Sequence, residues 1–275
     1  MRIDAHQHFW QYSAVEYDWI DESMGVLRRD FLPGDLAPLL ATNGLDGCVA
    51  VQARQSDEET RWLLQLAAEN TIVAGVVGWI DLNSTALEKR LVEYAGNPWL
   101  KGFRHVLQGE ADDFMLQPQF VAGVTTLAEH DLVYDILVFE RQLGSVRTLV
   151  KQLPDMPLVI DHIAKPGIAN ASFDAWANDM AALSRYTNVS CKISGMVTEA
   201  DWNSWTPDTF ERYLTHVFEC FGEDRVMFGS DWPVCTVAGD YAGIVEIVAD
   251  FVARGCPAAE AAVFGGNARQ FYRLD

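Results

Sequence analysis

The chain has no apolar run long enough to cross a bilayer: stretches such as Ile72 to Ile80 fall far short of the roughly 20 residues a membrane helix needs. Basic residues are scarce, with 20 Lys plus Arg against 39 Asp plus Glu and a net charge of −19. A surface of that sign repels phosphate backbones and anionic lipid, so neither nucleic acid nor a membrane is an expected partner. Cysteine is sparse: Cys48, Cys191, Cys220, Cys235 and Cys256 are odd in number, scattered, and include no CxxC pair. They read as reduced, mostly buried thiols. Met1 to His6 passes directly into a strand-like segment without an apolar leader region, and a cytoplasmic location is therefore expected. Ser/Gly linkers, composition breaks and low-complexity tracts are missing too. A single domain over residues 1–275 is the simplest organisation, long enough to bury a large core.

What the sequence does contain is alternation. Short β-branched runs occur at Arg2 to Phe9, Gly47 to Ala53, Val73 to Ile80, Leu100 to Val106, Val133 to Val138, Leu158 to His162, Val189 to Ile193 and Val226 to Gly229. Between them lie segments of helical period: Gly34 to Thr42, Asp57 to Glu69, Thr85 to Ala95, Pro118 to Glu129, Gln142 to Gln152, Phe173 to Arg185, Pro207 to Phe221 and Tyr241 to Ala253. Strands alternating with helices call for a parallel sheet with right-handed crossovers. Eight such units predict an α/β fold of the (β/α)8 TIM-barrel kind, with its active site at the C-terminal ends of the strands. A doubly wound open sheet is the alternative, but no GxGxxG follows the first strand. Trp10 to Arg29 and Leu107 to Gln117 both follow strands and are placed to shape a pocket. Glu260 to Tyr272 reads as a short helix, the turn Gly265-Gly266 and a closing helix, expected against the barrel's outer wall.

Three motifs carry chemistry. In Ile3-Asp4-Ala5-His6-Gln7-His8-Phe9-Trp10, the two histidines are spaced to project from one face of a strand, and Asp4 should share that face at a deeper level. Converging imidazoles suit a divalent metal or a cradle for an oxyanion. The plainer alternative is one inward histidine beside a chance neighbour. Asp161-His162 ends candidate strand six, followed by Ala164-Lys165-Pro166; alone, this histidine would read as a packed core residue. Asp231, in Phe228-Gly229-Ser230-Asp231-Trp232-Pro233, ends strand eight in surroundings apolar enough to raise its pKa, unless it merely caps the next turn. All four groups fall at strand C-termini of one predicted barrel. That joint placement favours the functional reading.

The chain resembles the sugar-lactonase branch of the amidohydrolase superfamily. The resemblance rests on Ile3 to Trp10, Asp30-Phe31-Leu32-Pro33, Gly102-Phe103-Arg104-His105, Asp161 to Pro166, Gly229 to Pro233 and Gly266-Asn267-Ala268, and so runs along the whole chain. It implies hydrolysis of an aldonolactone such as L-fuconolactone or L-rhamnonolactone, a small-molecule sugar lactone being the expected partner. It also implies either no cofactor or one divalent metal ion, zinc first, held by His6, His8, His162 and Asp231. Strand five offers Asp135 where the wider superfamily has a histidine, which speaks against a two-metal site.

On that reading Asp231 is the general base and acid, His162 orients the water, and His6 and His8 polarise the carbonyl. Arg54, Arg104 and Lys165 could offset the oxyanion. Arg54 and Gln55 after strand two, His105 at the end of strand four and Lys192 at the end of strand seven are candidate substrate contacts, with an exposed turn, a structural histidine and a salt bridge to Asp231 as their alternatives. Trp10 and Trp232 offer flat faces to a sugar ring, unless they pack the core. His130 and His216 fall on predicted helices and are assigned surface or packing roles. Two rival functions remain, a metal-dependent decarboxylase of the same superfamily and a non-catalytic sugar- or metal-binding barrel.

Overall fold

A computed structural model describes all residues from 1 to 275. Eight strands run in sequence order around one sheet: β1 (Ile3–Gln7), β2 (Gly47–Val51), β3 (Val73–Gly78), β4 (Leu100–Val106), β5 (Val133–Leu137), β6 (Leu158–Ile160), β7 (Val189–Ile193) and β8 (Val226–Phe228). Every neighbouring pair is parallel. The ring closes where Gln7 bridges Trp232, with the His8 amide donating to the Trp232 carbonyl at 2.7 Å and the Asp231 amide to the His6 carbonyl at 2.8 Å. This is the (β/α)8 barrel, and the open sheet is excluded.

Helices α1 (Pro33–Thr42), α2 (Asp57–Glu69), α3 (Leu87–Tyr94), α4 (Pro118–Glu129), α5 (Leu143–Gln152), α6 (Asp174–Leu183), α7 (Pro207–Phe221) and α8 (Tyr241–Gly255) form the outer layer. Their starts follow local chemistry. The Ser56 hydroxyl accepts the Glu59 amide at 3.1 Å, Asp240 accepts that of Gly243 at 2.8 Å, and proline occupies the first turn of α1, α4 and α7. No helix is long and apolar enough to cross a membrane.

Two apolar clusters share the strands between them. Outward residues such as Cys48, Val76, Ile136 and Phe228 join the helices in a cluster of 70 buried side chains. Inward residues Ile3, Ala5, Val49, Val51, Val77, Val133, Val159 and Met227 form a separate cluster of 11 with Ala268, Tyr272 and Leu274. The closing helix, α9 (Asn267–Tyr272), therefore plugs the N-terminal mouth of the barrel rather than lying on its outer wall. The chain turns into that position at Gly265, whose φ is +153° and where a β-carbon would lie 2.5 Å from the Met1 carbonyl oxygen.

Three local departures from a regular strand position the site. In β1, Asp4 pairs with Cys48 but Gln7 with Ala50, so β1 carries one extra residue: a β-bulge. Strands six and eight stop earlier than their hydrophobic runs, at Ile160 and Phe228, because His162 and Asp231 adopt left-handed backbone with φ of +52° and +58°.

Candidate active site

The bulge turns Asp4 away from the histidines. Its carboxylate accepts from the Ser230 amide (2.9 Å), the Ser230 hydroxyl (2.5 Å) and the Tyr241 hydroxyl (2.9 Å), which ties β1 to the turn that carries Asp231. Burial outweighs those bonds and raises its pKa to about 6. The expectation that Asp4 shares the facing of His6 was wrong for this reason.

His6 and His8 do converge. Around the Oδ1 atom of Asp231 stand three imidazole Nε2 atoms, from His8 at 3.3 Å, His162 at 3.8 Å and His6 at 4.0 Å. The His8 Nδ1 lies 2.8 Å from the Val51 carbonyl, an acceptor only, so that nitrogen carries the proton. Its Nε2 lone pair then faces a carboxylate oxygen, and two lone pairs that close call for a proton or a cation between them. The His162 Nδ1 sits 2.8 Å from the Ser194 hydroxyl. Gly195 backs the same ring so closely that a β-carbon there would lie 2.6 Å from Nδ1. Burial holds the pKa of both His6 and His162 well below the ordinary 6.5, so each is neutral at pH 7. Asp231 moves opposite to the sequence expectation. Burial pushes its pKa up, but the facing imidazoles of His162 and His8, with Lys165 beyond them, together bring it below the ordinary 3.8.

Beneath this ring lies a buried ionic layer. The Lys192 ammonium is fully enclosed, 2.6 Å from Asp135, 3.0 Å from Asp161 and 3.2 Å from the His6 Nδ1. Arg104 donates to Asp161 at 3.0 Å, lies 3.1 Å from the His6 Nε2, and also donates to the Gln52 carbonyl. The Tyr272 hydroxyl reaches up from α9 to Asp135 at 2.8 Å. Lys192 is thus no rim residue and no partner of Asp231, because its strand position points it down the barrel axis.

Above the ring a cavity of about 590 Å³ is lined by His8, His162 and Asp231, by Arg54, Gln55, Arg104 and Lys165, and by residues such as Trp19, Phe139 and Trp202. His105 lies outside it, paired with Glu110 at 3.0 Å and stacked on Phe114. Trp10 is also outside; its indole donates to the Arg29 carbonyl at 2.9 Å and packs on Tyr17 and Phe31. Trp232 packs edge-on against Phe9 and Phe31. These four expected substrate contacts (His105, Trp10, Trp232 and Lys192) have no face on the cavity. On the helices, His130 pairs with Glu88 at 3.1 Å and His216 bonds the Ala177 carbonyl at 2.8 Å, in keeping with structural roles.

Sequence reasoning passed over Glu16, Asp18 and Glu199, all of which line the cavity. Glu16 pairs with Arg54, and Glu199 with Lys165 at 2.7 Å. With Arg104 held by Asp161, the three cationic side chains of the cavity each have a carboxylate partner. The acidic character of the loop after β1 was the available signal for Glu16 and Asp18. Glu59 was also missed: it accepts from the Ala53 and Arg54 amides, both at 2.9 Å, and from the Tyr17 hydroxyl at 3.2 Å, joining the first two loops of the rim.

The backbone around His162 is strained. His162, Ile163, Ala164 and Lys165 all have left-handed φ, between +48° and +59°. Each such non-glycine residue costs roughly 1–2 kcal/mol, and the surrounding contacts must supply what holds the turn. Backbone strain of this kind concentrates at functional sites.

A closed parallel barrel with imidazoles and a carboxylate converging at its C-terminal mouth defines the molecule as a barrel enzyme with its reaction centre in that mouth. The chain belongs to the amidohydrolase family, whose model matches residues 3–274. It is 42% identical to an L-fucono-1,5-lactonase of Burkholderia multivorans, over 100% of this chain and 96% of that protein. A second L-fucono-1,5-lactonase, from Burkholderia ambifaria, is 40% identical with the same coverage. Crystal structures of an amidohydrolase from Burkholderia multivorans, one with HEPES and one with zinc bound, superpose with a TM-score of 0.96 at 42% identity over 100% of both chains.

Proposed function

We propose that this chain hydrolyses a neutral sugar-acid lactone of the L-fuconolactone type by attack of water on the ring ester carbonyl. The observation that carries the reading is Asp231 Oδ1, ringed by three imidazole nitrogens at 3.3, 3.8 and 4.0 Å on the floor of the cavity. The identity to two lactonases along the whole chain supports it. Asp231, held ionised, accepts a proton as water adds to the carbonyl carbon. The ring C–O bond of the tetrahedral intermediate then breaks, and the proton passes to the departing alkoxide. His162, fixed by Ser194, orients the water. Arg104, which lines the cavity, faces the developing oxyanion. An activated ring ester asks less of its base than an amide does, so a carboxylate of low pKa suffices.

The donor set fits one divalent ion. His6, His8 and Asp231 bring ligand atoms within 4.8 Å of one another, all buried. The proton on the His8 Nδ1, fixed by Val51, leaves Nε2 free as a ligand. His6, His8, His162 and Asp231 would hold the ion, and when bound it would polarise the carbonyl and acidify water. The wholly paired cations count against the decarboxylase, whose anionic substrate would require uncompensated positive charge.

The test is acid release from fucono-, rhamnono-, galactono- and arabinonolactone, followed with a pH indicator. Asp231→Asn is expected to lower kcat by roughly 10²–10⁴-fold. Full activity in that variant, or CO₂ release from an aromatic acid, overturns the reading.

A further inference from the structure

We propose that Trp176, on α6 and outside the cavity, is a positioning residue for His162, acting by holding the left-handed turn in its strained hand. The proposal rests on the lactonase reading only for the role of His162. The turn is closed by the Lys165 amide donating to the His162 carbonyl at 2.8 Å. It projects its first and fourth side chains, His162 and Lys165, into the cavity, while Ile163 and Ala164 are fully buried. A β-branched residue inside a left-handed turn has no local reason to stay there. The Trp176 indole, itself 1% exposed, supplies one from outside: its Nε1–H donates to the Ile163 carbonyl at 2.7 Å. In a right-handed turn the Ile163 peptide would face elsewhere, the indole N–H would be left buried without an acceptor, and His162 would leave Ser194. Losing an acceptor for a buried donor is costly, so the indole favours the one hand over the other. Its ring also packs at 5.3 Å on Tyr213 and 5.6 Å on Phe173, which fixes where the N–H points.

The test uses Trp176→Phe, which keeps a ring and removes the donor. On the lactone that the wild type opens fastest, kcat is expected to fall roughly ten- to a hundredfold, the scale of an ångström-sized misplacement, with KM within about threefold because cavity contacts remain. Ala164→Gly in the same chain should restore most of kcat, since glycine occupies the left-handed region without strain. In NMR spectra of the six histidine rings, the His162 signals, identified by their loss in His162→Asn, should shift in Trp176→Phe and return in the double variant. A lower Tm with unchanged kcat and unchanged His162 signals overturns the proposal, as does a kcat loss that Ala164→Gly leaves untouched. If Trp176→Phe does not fold, site-specific 3-benzothienylalanine at position 176 keeps the shape of the indole without its N–H and carries the same comparison. If the wild type opens no lactone, the lactonase reading fails, and the NMR comparison alone decides the turn.

Discussion

Replacing Lys192 by methionine tests whether the barrel interior is held together by charge. The substitution keeps length and apolar volume and removes an ammonium that is 2.6 Å from Asp135 and 3.0 Å from Asp161. Asp161 retains Arg104 at 3.0 Å, but Asp135 keeps only the Tyr272 hydroxyl at 2.8 Å. Breaking one side of a buried pair costs about 3–5 kcal/mol, a large part of a total stability of about 5–15 kcal/mol. Burial already raises the Asp135 pKa to about 6 against the pull of Lys192, and without Lys192 it rises further. A carboxyl with a raised folded-state pKa stabilises the protein while protonated and loses that contribution as pH climbs through the folded value. The deficit of Lys192→Met should therefore be small at about pH 5.5 and approach about 3–5 kcal/mol at about pH 8. Urea unfolding at both pH values measures it. Adding Asp135→Asn, which still accepts from Tyr272, should recover about 1–4 kcal/mol at the higher pH. A deficit below about 1 kcal/mol, equal at both pH values, or strictly additive with Asp135→Asn, would refute the reasoning.

Three further outcomes follow from the same geometry. Glu59 is raised by burial from 4.5 to about 7, so its stabilisation is complete below pH 4.5 and lost as pH rises through about 7, about 3 kcal/mol in all. Glu59→Gln should flatten that stretch of the Tm–pH curve, and a slope unchanged from wild type would contradict it. The His6 and His162 rings, held neutral by burial, should show no titration in NMR spectra down through pH 6.5; a midpoint at 6.5 for either ring would mean that it titrates as if exposed. Zinc added to chelator-treated protein should raise Tm, and His8→Asn should abolish the rise; an equal rise in the variant would place the ion elsewhere.

Much of the barrel was legible because its elements obey simple periods. Helices α2, α4 and α7 fall on the expected residues, since Ser56, Pro118 and Pro207 mark their starts chemically. His6, His8, His162 and Asp231 were legible because barrel topology alone gathers strand ends. What escaped was whatever depends on one residue of register or one backbone hand. The bulge in β1 reverses Asp4, and no pattern of alternation announces an inserted residue. Left-handed backbone after Ile160 and Phe228 ends two strands that hydrophobicity would continue. Lys192 sits one residue from the end of β7, and only the barrel's interior, where Asp135 and Asp161 wait, distinguishes a downward ammonium from one at the rim. Trp10 and Trp232 follow strands and His105 lies one residue from the end of β4, as pocket residues do, but the aromatic rings they pack on, such as Tyr17, Phe31 and Phe114, hold them away from the cavity.

The plug formed by α9 makes the two extremities of the chain depend on each other. A nascent polypeptide, threaded out from its amino end, must keep the valines of its opening strands uncovered until nearly all the remaining units have been synthesised. Half-built barrels of this protein are accordingly sticky objects, and the time spent in that condition is when chaperones have the most to offer it.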